Sequence, residues 1–228
     1  MSKIRSLTQL QDSLDKGYGW RLKEIADLKT TVKGRFFLGQ STIIRAGVPL
    51  LYAHWEGFIK QTSQDYLNYV SCQRMTYGDL ASCFVVFGAK KHLGSITGSK
   101  KAIINIEAVD FFRRCAFERA DLILSSAIDT KSNLNSEIFE NIALSIGVPV
   151  GSYDAYYNLI DESLLARRNK IAHGEYLDLD ADDFRGLADE ILKLLRMFKT
   201  DIENLASMSA FKAVRKPVPF DSIKDSPL

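Results

Sequence analysis

The spacing of apolar residues constrains this chain more than any other feature. Between 181 and 206, Phe184, Leu187, Ile191, Leu195, Phe198, Ile202 and Leu205 recur at steps of three and four. That period lines them along one face of an α-helix and excludes a half-buried strand, whose side chains repeat every two residues. The same stepping runs through Leu7, Leu10, Leu14, Tyr18, Leu22, Ile25, Leu28 and Val32, with Gly17 and Gly19 marking a potential break. It returns in Val48, Leu51, Trp55, Ile59, Thr62 and Tyr66, where Pro49 is tolerable only in a first turn or at a kink.

Helices are expected near 7–33, 47–70, 102–127, 136–146, 156–173 and 181–206. In the 102–127 segment, Ile103, Ile106, Phe112 and Phe117 are available for burial, and Phe111, Phe112 and Phe117 fit a core better than a base-stacking surface. Residues 80–88 (LASCFVVFG) are continuously apolar, so periodicity cannot separate a short buried helix from a strand. The stretch 94–101 (GSITGSKK) reads as loop by composition. Asn133-Leu134-Asn135-Ser136 is a helix start, because such side chains accept from the free N–H groups of a first turn, and Gly147 closes that helix in the left-handed region. Tyr157, Ile160, Leu164 and Ile171 form the stripe of the next helix, which ends at Gly174. Helices in series with few strand signals define an all-α bundle. The expected layout is one domain over 1–210 and an irregular tail over 211–228, a stretch holding three of the five prolines.

Composition narrows function only slightly. A net charge of +2 permits a nucleic-acid partner without demanding one. Three cysteines have no metal-ligand spacing, and their odd number argues against a disulfide framework. Cys115 reads as a core filler. No stretch reaches signal-peptide or membrane-spanning character, so a cytoplasmic location is expected.

One segment concentrates chemistry. Leu164 to Tyr176 reads LLARRNKIAHGEY and sets three cations, an amide and a histidine within seven residues at a helix end. On an ideal helix Arg168 falls about 40° from Leu164, inside the apolar stripe. A guanidinium there needs a carboxylate or an anionic ligand, and Asp161 and Glu56 are the candidate carboxylates. Asn169 and His173 are an i, i+4 pair on one face, whereas Arg168 and His173 stand roughly 140° apart. Their convergence therefore needs a long side chain, a helix end or a second copy of the motif, which a two-fold dimer supplies. Such groups suit cleavage of an RNA phosphodiester. An imidazole can move the proton of a 2′-hydroxyl or of the leaving oxygen, an arginine fork can hold the phosphate, and an asparagine can orient the histidine or the substrate. His54, His92 and His173 are scattered, with no metal-binding spacing. The plain alternative is a C-cap, where cations favour the helix dipole. His54 reads as structural, and His92, beside Lys90 and Lys91, fits a solvated surface better than contact with RNA. Tyr52, Trp55 and Ile59 read as core.

Arg168-Asn169-x-x-x-His173 resembles the Arg-polar-x-x-x-His motif of the HEPN superfamily. With the segments 50–60 (LLYAHWEGFIK), Asn133-Leu134-Asn135 and Arg168–Glu175, the chain is more specifically similar to the RiboL-PSP-HEPN branch over about residues 18–205. The resemblance implies a HEPN-like bundle with an additional N-terminal helix. It further implies a metal-independent endoribonuclease that cuts single-stranded RNA in a cleft shared by a homodimer, commonly as the toxin of a toxin–antitoxin module or as a phage-defence effector, with an antitoxin protein as partner. Arg168, Asn169 and His173 would be catalytic. Glu56 is the candidate to pair Arg168 or orient His173, with Lys170 and Tyr176 in support. In HEPN toxins silenced by a nucleotidyltransferase, a tyrosine follows two residues after the histidine. Here Glu175 takes that place and the tyrosine is Tyr176. The competing expectation is a catalytically silent bundle of the same type that binds RNA, nucleotide or a partner protein. A ligand-free scaffold would instead show Arg168 fully paired within its own chain and His173 facing bulk solvent.

Overall fold

A computed structural model describes residues 3–32, 39–124 and 127–214. Seven α-helices follow in order: α1 Leu7–Val32, α2 Gln40–Cys72, α3 Ser82–Gly98, α4 Ala102–Arg114, α5 Ser136–Ser145, α6 Arg167–Ala172 and α7 Ala181–Ser207. Among the described residues there is no strand, only isolated bridges joining Thr76 to Arg119 and Leu80 to Lys212. Helices α1, α2 and α7 pack on one another, and α5 and α6 lean on α2. The stripe read from 181–206 is the buried face of α7, and Asp180 caps that helix by accepting from the Asp183 N–H at 2.8 Å. The centre of the core is aromatic. Phe139 of α5 lies 5.1 Å from Trp55 of α2, 5.0 Å from Tyr153 and 5.8 Å from Phe198 of α7, ring centre to ring centre.

Several elements differ from the periodic reading. Helix α1 runs unbroken through Gly17 and Gly19, because packing against α2 offsets the roughly 1 kcal/mol that each glycine costs a helix. Helix α2 begins at Gln40, so Pro49 is interior and leaves the Arg45 carbonyl without its helical donor. The ambiguous 80–88 run is helical from Ser82 onward. Residues 94–98, expected as loop, form the last turns of α3. The helix expected to reach 127 stops at Arg114 and passes through a short turn into an extended stretch. That stretch is held by Tyr77 N–H to the Glu118 carbonyl and Ala120 N–H to the Met75 carbonyl. Helix α4 rests on α3 and on that short turn rather than on the main bundle. Ile103 and Ile106 consequently stay 60% and 55% exposed and Phe117 90% exposed, against the expectation of burial. Phe112 is also exposed, while His92 stacks on Phe111 with ring centres 3.9 Å apart. At the start of the expected tail, Phe211 is buried against Tyr69 and Ala213 N–H donates to the Asp79 carbonyl. Residues 215–228 lie outside the described residues.

The seam between α1 and α2 holds two buried ionisable groups. Arg21, 5% exposed, donates to the Gly17 carbonyl and to Gln61 and lies over the Trp20 and Phe58 rings. His54, 2% exposed, sits 3.0 Å from the Glu24 carboxylate without hydrogen-bond alignment. Burial lowers the His54 imidazole below its usual 6.5, outweighing the opposing pull of Glu24.

Two stability predictions come from this packing. A Cβ on Gly47 would lie 2.6 Å from Phe184, whereas one on Gly186 of α7 meets nothing within 4 Å. Gly47→Ala should therefore lower stability by roughly 1–3 kcal/mol, and Gly186→Ala should raise it by up to about 1 kcal/mol; a shift of the same sign in both urea titrations would contradict the packing. The second concerns pH. Because folding depresses the His54 pKa, the unfolded chain binds the extra proton, so stability is complete above about 6.5 and declines as pH falls below it. Urea midpoints between pH 7.5 and 5.5 should fall less steeply in His54→Gln than in the native chain.

Candidate active site

The motif segment is not one regular helix. Leu159–Ala166 winds as a π-helix and passes directly into α6. With i→i+5 hydrogen bonding each turn holds more residues, so positions four and five apart share a face. Ile160, Leu164 and Leu165 are accordingly all buried. The 3.6-residue wheel does not carry through this stretch, and Arg168 emerges half-buried at the rim of the core. Helix α6 ends at His173. Gly174 adopts φ +77°, its N–H reaches the Ile171 carbonyl, and Glu175 N–H reaches the Lys170 carbonyl at 2.9 Å. This pair of bonds is the C-terminal cap expected at Gly174.

Among the described residues Arg168 finds no carboxylate. Asp161 is engaged elsewhere, accepting from the backbone N–H and hydroxyl of Ser136 at the start of α5. Glu56 forms neither an ion pair nor a hydrogen bond with Arg168 or His173 among the described residues. The guanidinium instead donates to the Asn169 side-chain oxygen at 2.9 Å and to the Ser132 carbonyl at 2.9 Å, and it lies 4.1 Å above the Tyr52 ring. All three contacts are neutral, so the positive charge is positioned but not cancelled. Leu134 N–H donates to the Tyr52 hydroxyl oxygen at 2.6 Å and ties the 129–135 loop to α2. Burial raises the Tyr52 phenol above its ordinary range, while the Leu134 N–H and Arg168 act against that rise.

The structure thus brings Arg168 and Asn169 together with Tyr52 and Ser132. The Asn169 side chain faces Arg168; His173 meets Asn169 only through its backbone N–H. His173, Lys170 and Tyr176 are exposed, Tyr176 by 78%. Two contributors went unread in the sequence. Arg45 donates from α2 to the Glu175 carbonyl at 3.0 Å, holding the chain just past His173. Tyr52 was legible as core, yet its hydroxyl and ring face also cradle Arg168. No local signal in the sequence marks Arg45, because its partner is a backbone atom 130 residues away. Lys131 and Ser132 both sit in the left-handed region, φ 51° and 54°. This strained pair presents the carbonyl that Arg168 uses.

The all-helical bundle carries Arg168-x-x-x-x-His173 at a capped helix end, as the resemblance to HEPN domains implies. The family model for RiboL-PSP-HEPN matches residues 17–204, and the chain belongs to that family. No curated protein and no solved structure matches it significantly.

The Tyr52 hydroxyl satisfies a fully buried residue's N–H, so Tyr52→Phe should lower stability by roughly 1–3 kcal/mol and loosen the 129–135 loop. An unchanged urea midpoint together with unchanged amide exchange at Leu134 would show that this bond is dispensable.

Proposed function

We propose that this protein is a metal-independent endoribonuclease acting on single-stranded RNA, with Arg168, Asn169 and His173 as its catalytic residues. The observation that carries the reading is the Arg168 cradle: a rim-exposed guanidinium held by neutral acceptors and an aromatic face keeps its charge for an incoming phosphate. Asn169 fixes the fork, and Lys170 adds positive charge beside it. In the reaction the RNA 2′-oxygen attacks the adjacent phosphorus and the bond from phosphorus to the 5′-oxygen breaks. One imidazole takes the 2′-hydroxyl proton, and an imidazolium gives a proton to the departing 5′-oxygen. The products carry a 2′,3′-cyclic phosphate and a 5′-hydroxyl.

Among the described residues no hydrogen bond joins His173 to Arg168, and this favours a site completed by a second copy. A two-fold dimer with the 168–173 segments facing each other would supply both the base and the acid. Its interface should bury on the order of 1,200–2,000 Å². A cytoplasmic toxin or phage-defence effector held in check by an antitoxin protein is the role that suits this activity. The silent-bundle reading draws on the same exposed His173: an imidazole with no hydrogen-bond partner among the described residues also fits a domain that binds without cutting.

His173→Ala should reduce cleavage roughly 100-fold or more with the fold intact, since the side chain is exposed. Cleavage by the native chain should survive EDTA and spare the DNA counterpart, which lacks the nucleophile. Equal cutting by both proteins, loss on chelation, or efficient cutting of DNA would each overturn the mechanism. RNA binding by a native chain that never cuts would establish the silent reading.

A further inference from the structure

A second concentration of positive charge lies far from Arg168, and no sequence run announces it. Lys3 and Arg5 from the N-terminal segment, Arg74 just past α2, and Arg119 from the stretch after α4 line a pocket of about 260 Å³, with Ser71 and Cys72 as the other walls. Three separate segments are fastened to build it. Ile4 is buried and its N–H donates to Asn68 at 3.1 Å, which pins the residues on either side. The bridge from Thr76 to Arg119, with the Tyr77 and Ala120 bonds beside it, fixes the third segment. Arg74 is held at φ 56°, in the left-handed region that disfavours a side chain. No carboxylate lines the pocket, and none of the four cations forms an ion pair among the described residues.

Gathering four like charges without a counter-charge costs stability. The carbonyl end of α2 offsets part of that cost, since cations are favoured at a helix C-terminus. It accounts for Arg74 but not for side chains delivered by two other segments. We propose that the pocket binds a phosphate group, and that its source is the backbone of the RNA strand flanking the cut; this assignment to RNA rests on the ribonuclease reading. Tyr52 and Cys72 are separated by twenty residues of α2, about 30 Å at 1.5 Å per residue. Only an oligonucleotide long enough to span that distance would engage both sites. The pocket would thereby give preference for long unpaired strands without reading bases.

The test uses the full chain carrying His173→Ala, so that RNA stays intact, with a labelled 20-nucleotide oligouridine, a tetranucleotide and ATP as probes. Arg74→Gly/Arg119→Ser removes two charges at exposed positions, and glycine relieves the left-handed backbone at 74, so the fold should be retained. Lys3→Ser/Arg5→Ser attacks the pocket from its other wall. Each double variant should weaken 20-mer binding on the order of tenfold and reduce the slope of log K against log salt by about 1.4, at roughly 0.7 per lost phosphate contact. Tetranucleotide binding should not change. Unaltered 20-mer affinity and salt slope in both variants would overturn the proposal. ATP binding that the variants abolish while 20-mer affinity is untouched would overturn the assignment to RNA. Cleavage by chains with native His173 is scored separately: its absence would remove the nuclease reading, whereas the binding result would still decide the pocket.

Discussion

Burial of α2 on nearly all sides is the constraint on which the rest of the structure depends. Its 33 residues extend about 50 Å, and most of its large apolar side chains from Ile44 to Val70 are withdrawn from water. At about 1.5–3 kcal/mol for each large apolar side chain buried, no other helix secures as much of the core. Helices α1 and α7 must cover two of its flanks, and α5 and α6 close the side near Trp55. Because α2 is long and held along its length, groups near its ends are kept at fixed distances. Arg45 and Tyr52 stand toward one end, under the motif. Ser71 and Cys72 stand at the other, in the wall of the basic pocket.

The motif end shows how a charge is kept available in a packed protein. A carboxylate partner would neutralise Arg168 and compete with any phosphate. Asp161 could have served but is occupied with capping α5. Side-chain amide, backbone carbonyl and aromatic face hold the guanidinium by geometry alone. The carbonyl comes from a loop strained at two successive residues, and that loop is tied back to α2 through Leu134 and Tyr52. Strain persists only where surrounding bonds over-determine it, and here those bonds converge on one arginine.

His173 follows a different logic. The helix end fixes where its backbone lies, through the left-handed Gly174 and the Arg45 bond to Glu175. Among the described residues no hydrogen bond or ion pair fixes its ring. An unrestrained imidazole beside a restrained guanidinium suits a site whose second half arrives from outside the chain, as substrate or as another copy.

The sequence by itself determined the helices with a strong apolar period and clear caps. The α7 stripe, the Asn135 cap, and the Gly147 and Gly174 terminations all depend on contacts within a few residues, and such contacts are written locally. It also determined the motif and the family, since Arg168, Asn169 and His173 lie within six positions. Tertiary structure alone decided the rest. Whether 80–88 was helix or strand depended on what covered it. The exposure of Ile103, Ile106 and Phe117 followed from α4 leaning on α3 rather than on the bundle. The π-turns before Arg168 changed its angular position in a way no 3.6-residue wheel contains. The Arg168 cradle and the basic pocket join residues dozens of positions apart. Their partners include backbone carbonyls, which every residue carries and which therefore leave no mark in a sequence.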